Sequence, residues 1–205
     1  MAGNCSLNAF LRLMAVAAMI WLTKSSTVAT SAGGHDVDLA LVLAIDCSDS
    51  VDDGEFRHQL DGIARAFRHP SVIAAIREGS LQRIAVLAIE WSTPNAPVVI
   101  VDWSIVDSEA AAAAVARKVE RARRLVIGGT SISAAIDASS ALLIAAPLRA
   151  SRMVIDISSD GTNNTGGRPE LARDRAVALG ITVNGLVILN EVPYLKFYFE
   201  NRVIG

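Results

Sequence analysis

Leu39-Ala40-Leu41-Val42-Leu43-Ala44-Ile45 runs without a polar residue into Asp46-Cys47-Ser48-Asp49-Ser50, and this stretch decides the architecture. An unbroken apolar run of this length reads as a strand covered on both faces, the habit of parallel sheets. In the extended backbone beyond it, side chains two residues apart point the same way, so Asp46, Ser48 and Ser50 share one side and Asp49 faces solvent. They stand at the carboxyl end of a central strand. Open α/β sheets bind ligands at that edge, where the strand order reverses.

Outward from this strand, apolar runs alternate with helical patterns. Phe56, Leu60, Ile63, Ala64 and Phe67 lie on one stripe of a helix, with Asp52 or Asp53 as its N-cap and Pro70 at its end. Arg83–Glu90 and Val98–Trp103 are strands joined through Ser92-Thr93-Pro94-Asn95, too short a link for anything but an antiparallel hairpin. Ser108–Arg124 reads as a helix capped by Ser108 and broken by Gly128-Gly129, and a further helix spans about Ser131 to Ala146. Met153–Ile157 is a strand, Pro169–Leu179 a helix stopped at Gly180, Ile181–Leu189 a strand and Tyr194–Arg202 a short helix. The order implies a doubly wound, mostly parallel sheet with one antiparallel edge strand and helices on both faces.

The 205 residues are 52% hydrophobic and 20% charged, which excludes a disordered chain. Lys+Arg is 19 and Asp+Glu is 21, so no global basic field recruits nucleic acid. Residues 1–32 stand apart: they contain no acid, and Arg12 precedes the apolar run Leu13–Leu22 and a small-residue stretch ending at Ala32. That run is too short to span a bilayer, which takes about 20 residues. It reads as a secretory signal peptide followed by a linker, 33–37, and a domain over 38–205, in a secreted or periplasmic protein. Its thin basic region leaves an uncleaved anchor as the alternative. Cleavage would remove Cys5 and leave Cys47 alone.

Phosphate-loop, dinucleotide, zincin and nucleophile-elbow motifs are absent, and His35, His58 and His69 are scattered. Two further oxygen-rich loops stand out instead. Ser158-Ser159-Asp160-Gly161-Thr162-Asn163-Asn164 follows a strand, and Gly128-Gly129-Thr130-Ser131 opens a helix. If the strands ending at Asp46 and Asp160 are neighbours, all three loops converge on two carboxylates and three hydroxyls, hard oxygens suited to Mg²⁺. Glu90, at a strand end, is a candidate for supporting that cluster from behind. Asp156, a carboxylate amid strand residues, needs a basic or hydroxyl partner or an earlier strand end. The basic run Arg117-Lys118, Arg121, Arg123-Arg124 reads as the solvated face of a helix.

These loops together resemble the von Willebrand factor A-like fold with its metal-ion-dependent adhesion site. Asp46–Asp53, Glu90-Trp91-Ser92, Gly128–Ser133, Ile155–Asn164 and Ile181–Leu189 are similar to a bacterial secreted branch of unassigned function. The resemblance implies that Ser48 and Ser50 bind the metal directly, Thr130 does so in one state, and Asp46 and Asp160 act directly or through water. It implies Mg²⁺ (or Mn²⁺ or Ca²⁺), a protein partner presenting an Asp or Glu carboxylate, and binding without turnover. It involves no nucleic acid, and no membrane beyond the leader. An Mg²⁺-dependent phosphohydrolase using Asp46 and Asp160 is the enzyme alternative, and a structural module with a vestigial site is another. The chain stops at Gly205, where relatives of that fold add a strand and a helix. The expectation is therefore a truncated domain with Ile181–Leu189 as an exposed edge.

Overall fold

The computed structural model describes residues 35–95, 97–189 and 192–205; the leader reading falls outside them. The strands are β1 (His35–Val37), β2 (Leu39–Asp46), β3 (Ile84–Trp91), β4 (Val98–Val106), β5 (Leu148–Ala150), β6 (Met153–Ser159) and β7 (Ile181–Val187). The helices are α1 (Asp53–Arg68), α2 (Pro70–Arg77), α3 (Glu109–Arg121), α4 (Ile132–Ile144), α5 (Pro169–Ala178) and α6 (Leu195–Arg202). Five strands form the main sheet in the order β4-β3-β2-β6-β7, with only the β3–β4 pair antiparallel. The short strands β1 and β5 pair separately, so part of the expected linker is a strand.

Alternation along β2 builds two cores. Leu41, Leu43 and Ile45 pack with Phe56, Leu60 and Phe67 of α1 and with Val115 and Val119 of α3. Ala40, Val42 and Ala44 pack with Ile132 and Ile136 of α4, Ala172 of α5 and Phe199 of α6. Both faces of β2 and β3 are thereby dry, which is why neither strand alternates polar with apolar residues.

One helix boundary differs from the sequence reading and another carries an extra helix. Pro70 does mark the end of α1, which stops at Arg68 with His69 extended before the proline, and it also opens α2, where its missing N–H costs no hydrogen bond. His69 closes one helix and caps the next, its Nδ1 accepting from Ser71 N–H at 3.2 Å. Helix α3 ends at Arg121, short of the glycine pair, and the chain continues without regular structure to Gly128. The N-caps hold. Asp52 and Glu55 form a reciprocal capping box, and Ser108 Oγ accepts from Ala111 N–H.

Edge strand β7 is less bare than expected. Val183 and Gly205 exchange both backbone hydrogen bonds, at 2.7 and 3.0 Å, so the last residues fill part of the open edge. Helix α6 also lies close on this strand, for a Cβ at Gly185 would stand 2.4 Å from the Phe199 ring. Asp156 corrects another expectation. Strand β6 continues past it to Ser159, and its partner is an amide, with Asn184 Nδ2 donating to Oδ1 at 2.8 Å. Burial pushes its carboxyl up to about 6 against that hydrogen bond.

Candidate metal centre

The chain leaves β2 toward β3 on one side and, later, toward β6 on the other, so the order reverses at β2. Asp46 ends β2 and Asp160 directly follows β6, its parallel neighbour, which brings the two acids to one crevice.

Asp46 is fully buried and organises the first loop. Its Oδ1 accepts from Ser48 N–H at 2.8 Å and its Oδ2 from the Ser159 hydroxyl at 2.5 Å. Burial pushes its carboxyl up to about 6, the bonds from Ser159 and Ser48 pull it down, and Asp160 adds to the rise. The tight turn directs the serine hydroxyls together: Ser48 Oγ and Ser50 Oγ stand 3.2 Å apart, and Ser50 Oγ donates to Asp160 Oδ1 at 2.7 Å. Neighbouring ligands on an octahedral Mg²⁺, each 2.0–2.1 Å from the ion, are themselves about 2.9 Å apart. The spacing of these three oxygens fits that edge.

Thr130 reaches the same spot from the start of α4. A Cβ built on Gly161 would lie 3.7 Å from Thr130 Oγ1 and 3.9 Å from Ser50 Oγ, ordinary contact distances that place this glycine beside both hydroxyls. Asn164 fixes Thr130: it accepts the Thr130 N–H at 2.8 Å, donates its own N–H to the Thr130 carbonyl at 2.9 Å and turns Nδ2 toward Oγ1 at 3.4 Å. Asn163 Oδ1 accepts from Ser133 N–H in the first turn of α4, satisfying a donor the helix leaves open. Gly128, at φ +138°, passes so close to Thr93 that a Cβ would meet it at 2.5 Å, and its carbonyl accepts from Asp49 N–H.

All five expected residues thus gather at one end of the sheet. Asp46, Ser48, Thr130 and Asp160 are buried and Ser50 opens to solvent, as does Asp49. Among the described residues no three His, Cys, Asp or Glu side chains gather as a metal group, so a cation here would rest largely on neutral hydroxyls. If a cation is held by these hydroxyls, Gly161→Ala is expected to weaken Mg²⁺ binding at least tenfold, because its methyl would stand against both Thr130 Oγ1 and Ser50 Oγ, while the apo melting temperature stays within about 2 °C. Calorimetry and thermal denaturation check the two halves.

Most of the supporting residues escaped the sequence reading, Glu90 excepted. Ser159 and Asn164 lay inside a quoted loop with nothing to mark their partners. Gln59 of α1 ties the strand ends together, donating to the Asp46 carbonyl and accepting from Ser158 Oγ. Glu90 accepts from Leu125 N–H at 2.7 Å, and burial raises its pKa. Arg124 corrects the reading of the basic run: it lies beyond α3 and is largely buried, and its Nη2 donates to the Cys47 and Ser48 carbonyls. Cys47 is buried beneath them, its thiol pushed up by burial and then by Glu90.

A mostly parallel sheet with one antiparallel edge, carrying these loops at its switch point, is the fold of von Willebrand factor A-like domains. Proximal thread matrix protein 1 of the mussel byssus shares it, at 15% identity and a TM-score of 0.56, over 77% of this chain and 39% of that one. A further structure of the mussel protein has a zinc-occupied MIDAS motif (15% identity, TM-score 0.50, 75% of this chain and 36% of that one). BatB from Bacteroides thetaiotaomicron matches at 18% identity and a TM-score of 0.51, over 73% of this chain and 66% of that one. The pilus adhesin SpaC from Lactobacillus rhamnosus GG matches at 15% and 0.53, over 76% and 25%. The chain spans about two fifths of the mussel protein. Residues 36–205 match the family described as "Protein of unknown function (DUF1194)", and the chain belongs to that family. No curated protein matches it. Among the described residues no helix is long and apolar enough to cross a membrane.

Proposed function

We propose that this is an exported protein-binding domain whose contact with its partner passes through a divalent cation held by Asp46, Ser48, Ser50, Thr130 and Asp160. The observation that carries the reading is the Ser48–Ser50–Asp160 chain of oxygens, with Gly161 and the Thr130 hydroxyl beside it. Ser48, Ser50 and Thr130 offer neutral oxygens, and Asp46 holds the loop that aims them. Asp160 supplies charge from the neighbouring strand. When bound, the ion supplies a point charge only partly neutralised by the protein, to which an outside carboxylate adds an oxygen. Mg²⁺ suits the donors, with Mn²⁺ or Ca²⁺ as substitutes, and the partner presents an Asp or Glu. The zinc in the mussel protein's motif and the adhesin among the similar structures support this class of function. The leader-like residues 1–32 support a secreted or periplasmic location.

Binding without turnover fits Asp46 better than catalysis. A nucleophile must meet its substrate, whereas this carboxylate has no exposed surface and each of its oxygens already accepts a hydrogen bond. Calorimetric titration of the protein with Mg²⁺ or Mn²⁺ tests the reading. We expect heat from the wild type and none from Ser48→Ala or Asp160→Ala, with the variants still folded by circular dichroism. Equal heats in all three would remove the metal centre, and phosphatase turnover on a generic phosphoester would favour the enzyme.

A further inference from the structure

We propose that the segment between α3 and the Thr130 loop is a docking rim that selects an acidic peptide whose carboxylate is flanked by apolar residues. This rests on the cation-binding reading above and names its partner's chemistry.

From Arg121 to Gly128 the side chains alternate between exposed and inward, residue by residue. Ala122 and Val126 pack on the core, and Arg124 is hydrogen-bonded beneath the Ser48 loop. Outward stand Arg121, Arg123, Leu125 and Ile127, the last two 61% and 68% exposed. Beyond Arg121, the last residue of α3, the period of two is that of an extended chain and places Arg123, Leu125 and Ile127 along one side. Two large aliphatic side chains held out to water are not explained by the core, for Val126 between them already anchors the segment.

Their location is informative. Leu125 N–H is tied to Glu90 at the end of β3, and Gly128 O receives Asp49 N–H, so the segment borders the cation loops and leads into Thr130. Leu189, also 61% exposed, follows Ile188, whose N–H donates to the Ser159 carbonyl beside Asp160. An aliphatic group therefore lies on either flank of the crevice. The rim runs outward from cation to aliphatic pair to arginine pair. A complementary ligand is an extended segment with one carboxylate at the ion, apolar residues beside it and a further acid facing Arg123 and Arg121.

The test compares two capped peptides, Ac-Glu-Leu-Asp-Leu-Glu-NH₂ and Ac-Glu-Gly-Asp-Gly-Glu-NH₂, titrated into the Mg²⁺-loaded protein and followed by NMR chemical shifts. The leucine peptide is expected to bind at least tenfold more tightly, about 1.4 kcal/mol. The variant Leu125→Ser/Ile127→Ser should erase that difference while its Mg²⁺ heat and melting temperature match the wild type. Arg123→Glu should weaken both peptides. Mg²⁺ heat with equal peptide affinities overturns the rim and leaves the metal centre standing. Absence of Mg²⁺ heat in the wild type overturns both. Concentration-dependent self-association, or binding to phosphatidylglycerol vesicles, that is lost in the double variant while the peptides bind equally would assign the rim elsewhere and overturn it.

Discussion

Replacing Arg124 by Ala is expected to cost about 3 kcal/mol of folding free energy, a large effect for a residue from a run of surface-like basic residues. The side chain is only 15% exposed; its guanidinium bonds the Cys47 and Ser48 carbonyls at 3.1 and 2.9 Å and approaches Asp53 at 3.4 Å. Its removal takes this donor from the Cys47 carbonyl and one of two donors from the Ser48 carbonyl, which keeps the Val51 N–H. It also takes the positive charge that lowers the pKa of buried Glu90, leaving burial unopposed from that side. Urea denaturation of the apo protein should show a lower midpoint with an unchanged slope. Adding Glu90→Gln should restore part of the loss, because the two groups are coupled. A cost below about 0.5 kcal/mol in the single variant, the range of an ordinary surface change, would mean the loop does not depend on this side chain.

Asp156→Asn should act in the opposite direction and depend on pH. The Asp156 carboxyl lies near 6 in the folded protein, above its ordinary 3.8. The folded state therefore holds the proton more tightly than the unfolded chain. The contribution of this group is fully present below about pH 4 and is lost as pH rises through 6. Two pH units correspond to about 3 kcal/mol at most. An amide keeps the acceptor for Asn184 and never ionises, so Asp156→Asn should be about 1–3 kcal/mol more stable than wild type at pH 8. The gap should close toward pH 4. Denaturation midpoints at pH 4, 6 and 8 check this; a constant gap would assign the effect to packing.

What the sequence revealed was local. Asp46, Ser48 and Ser50 declared themselves by spacing, and Asp160-Gly161 and Gly129-Thr130 by their places after a strand and before a helix. Hydrophobic runs sufficed for the order of the main strands and for the antiparallel pair. The rest depended on contacts between distant positions. The role of Ser159 follows only once β2 and β6 are aligned side by side. Arg124 resembles its neighbours until α3 is seen to stop three residues before it. Pro70 announced the end of α1, but the second helix it opens depends on His69 capping that helix. Asp156 found an amide on the adjacent strand, a partner no single-strand pattern specifies.

His35–Val37 leads straight into Leu39 at one end of β2, and Asp46 stands at the other end. Eight residues of strand separate these poles by about 25 Å. The polypeptide therefore enters the domain on the far side from the loops that carry Ser48, Thr130 and Asp160. A tether attached through that entry would leave the loops pointing away from whatever surface secures them.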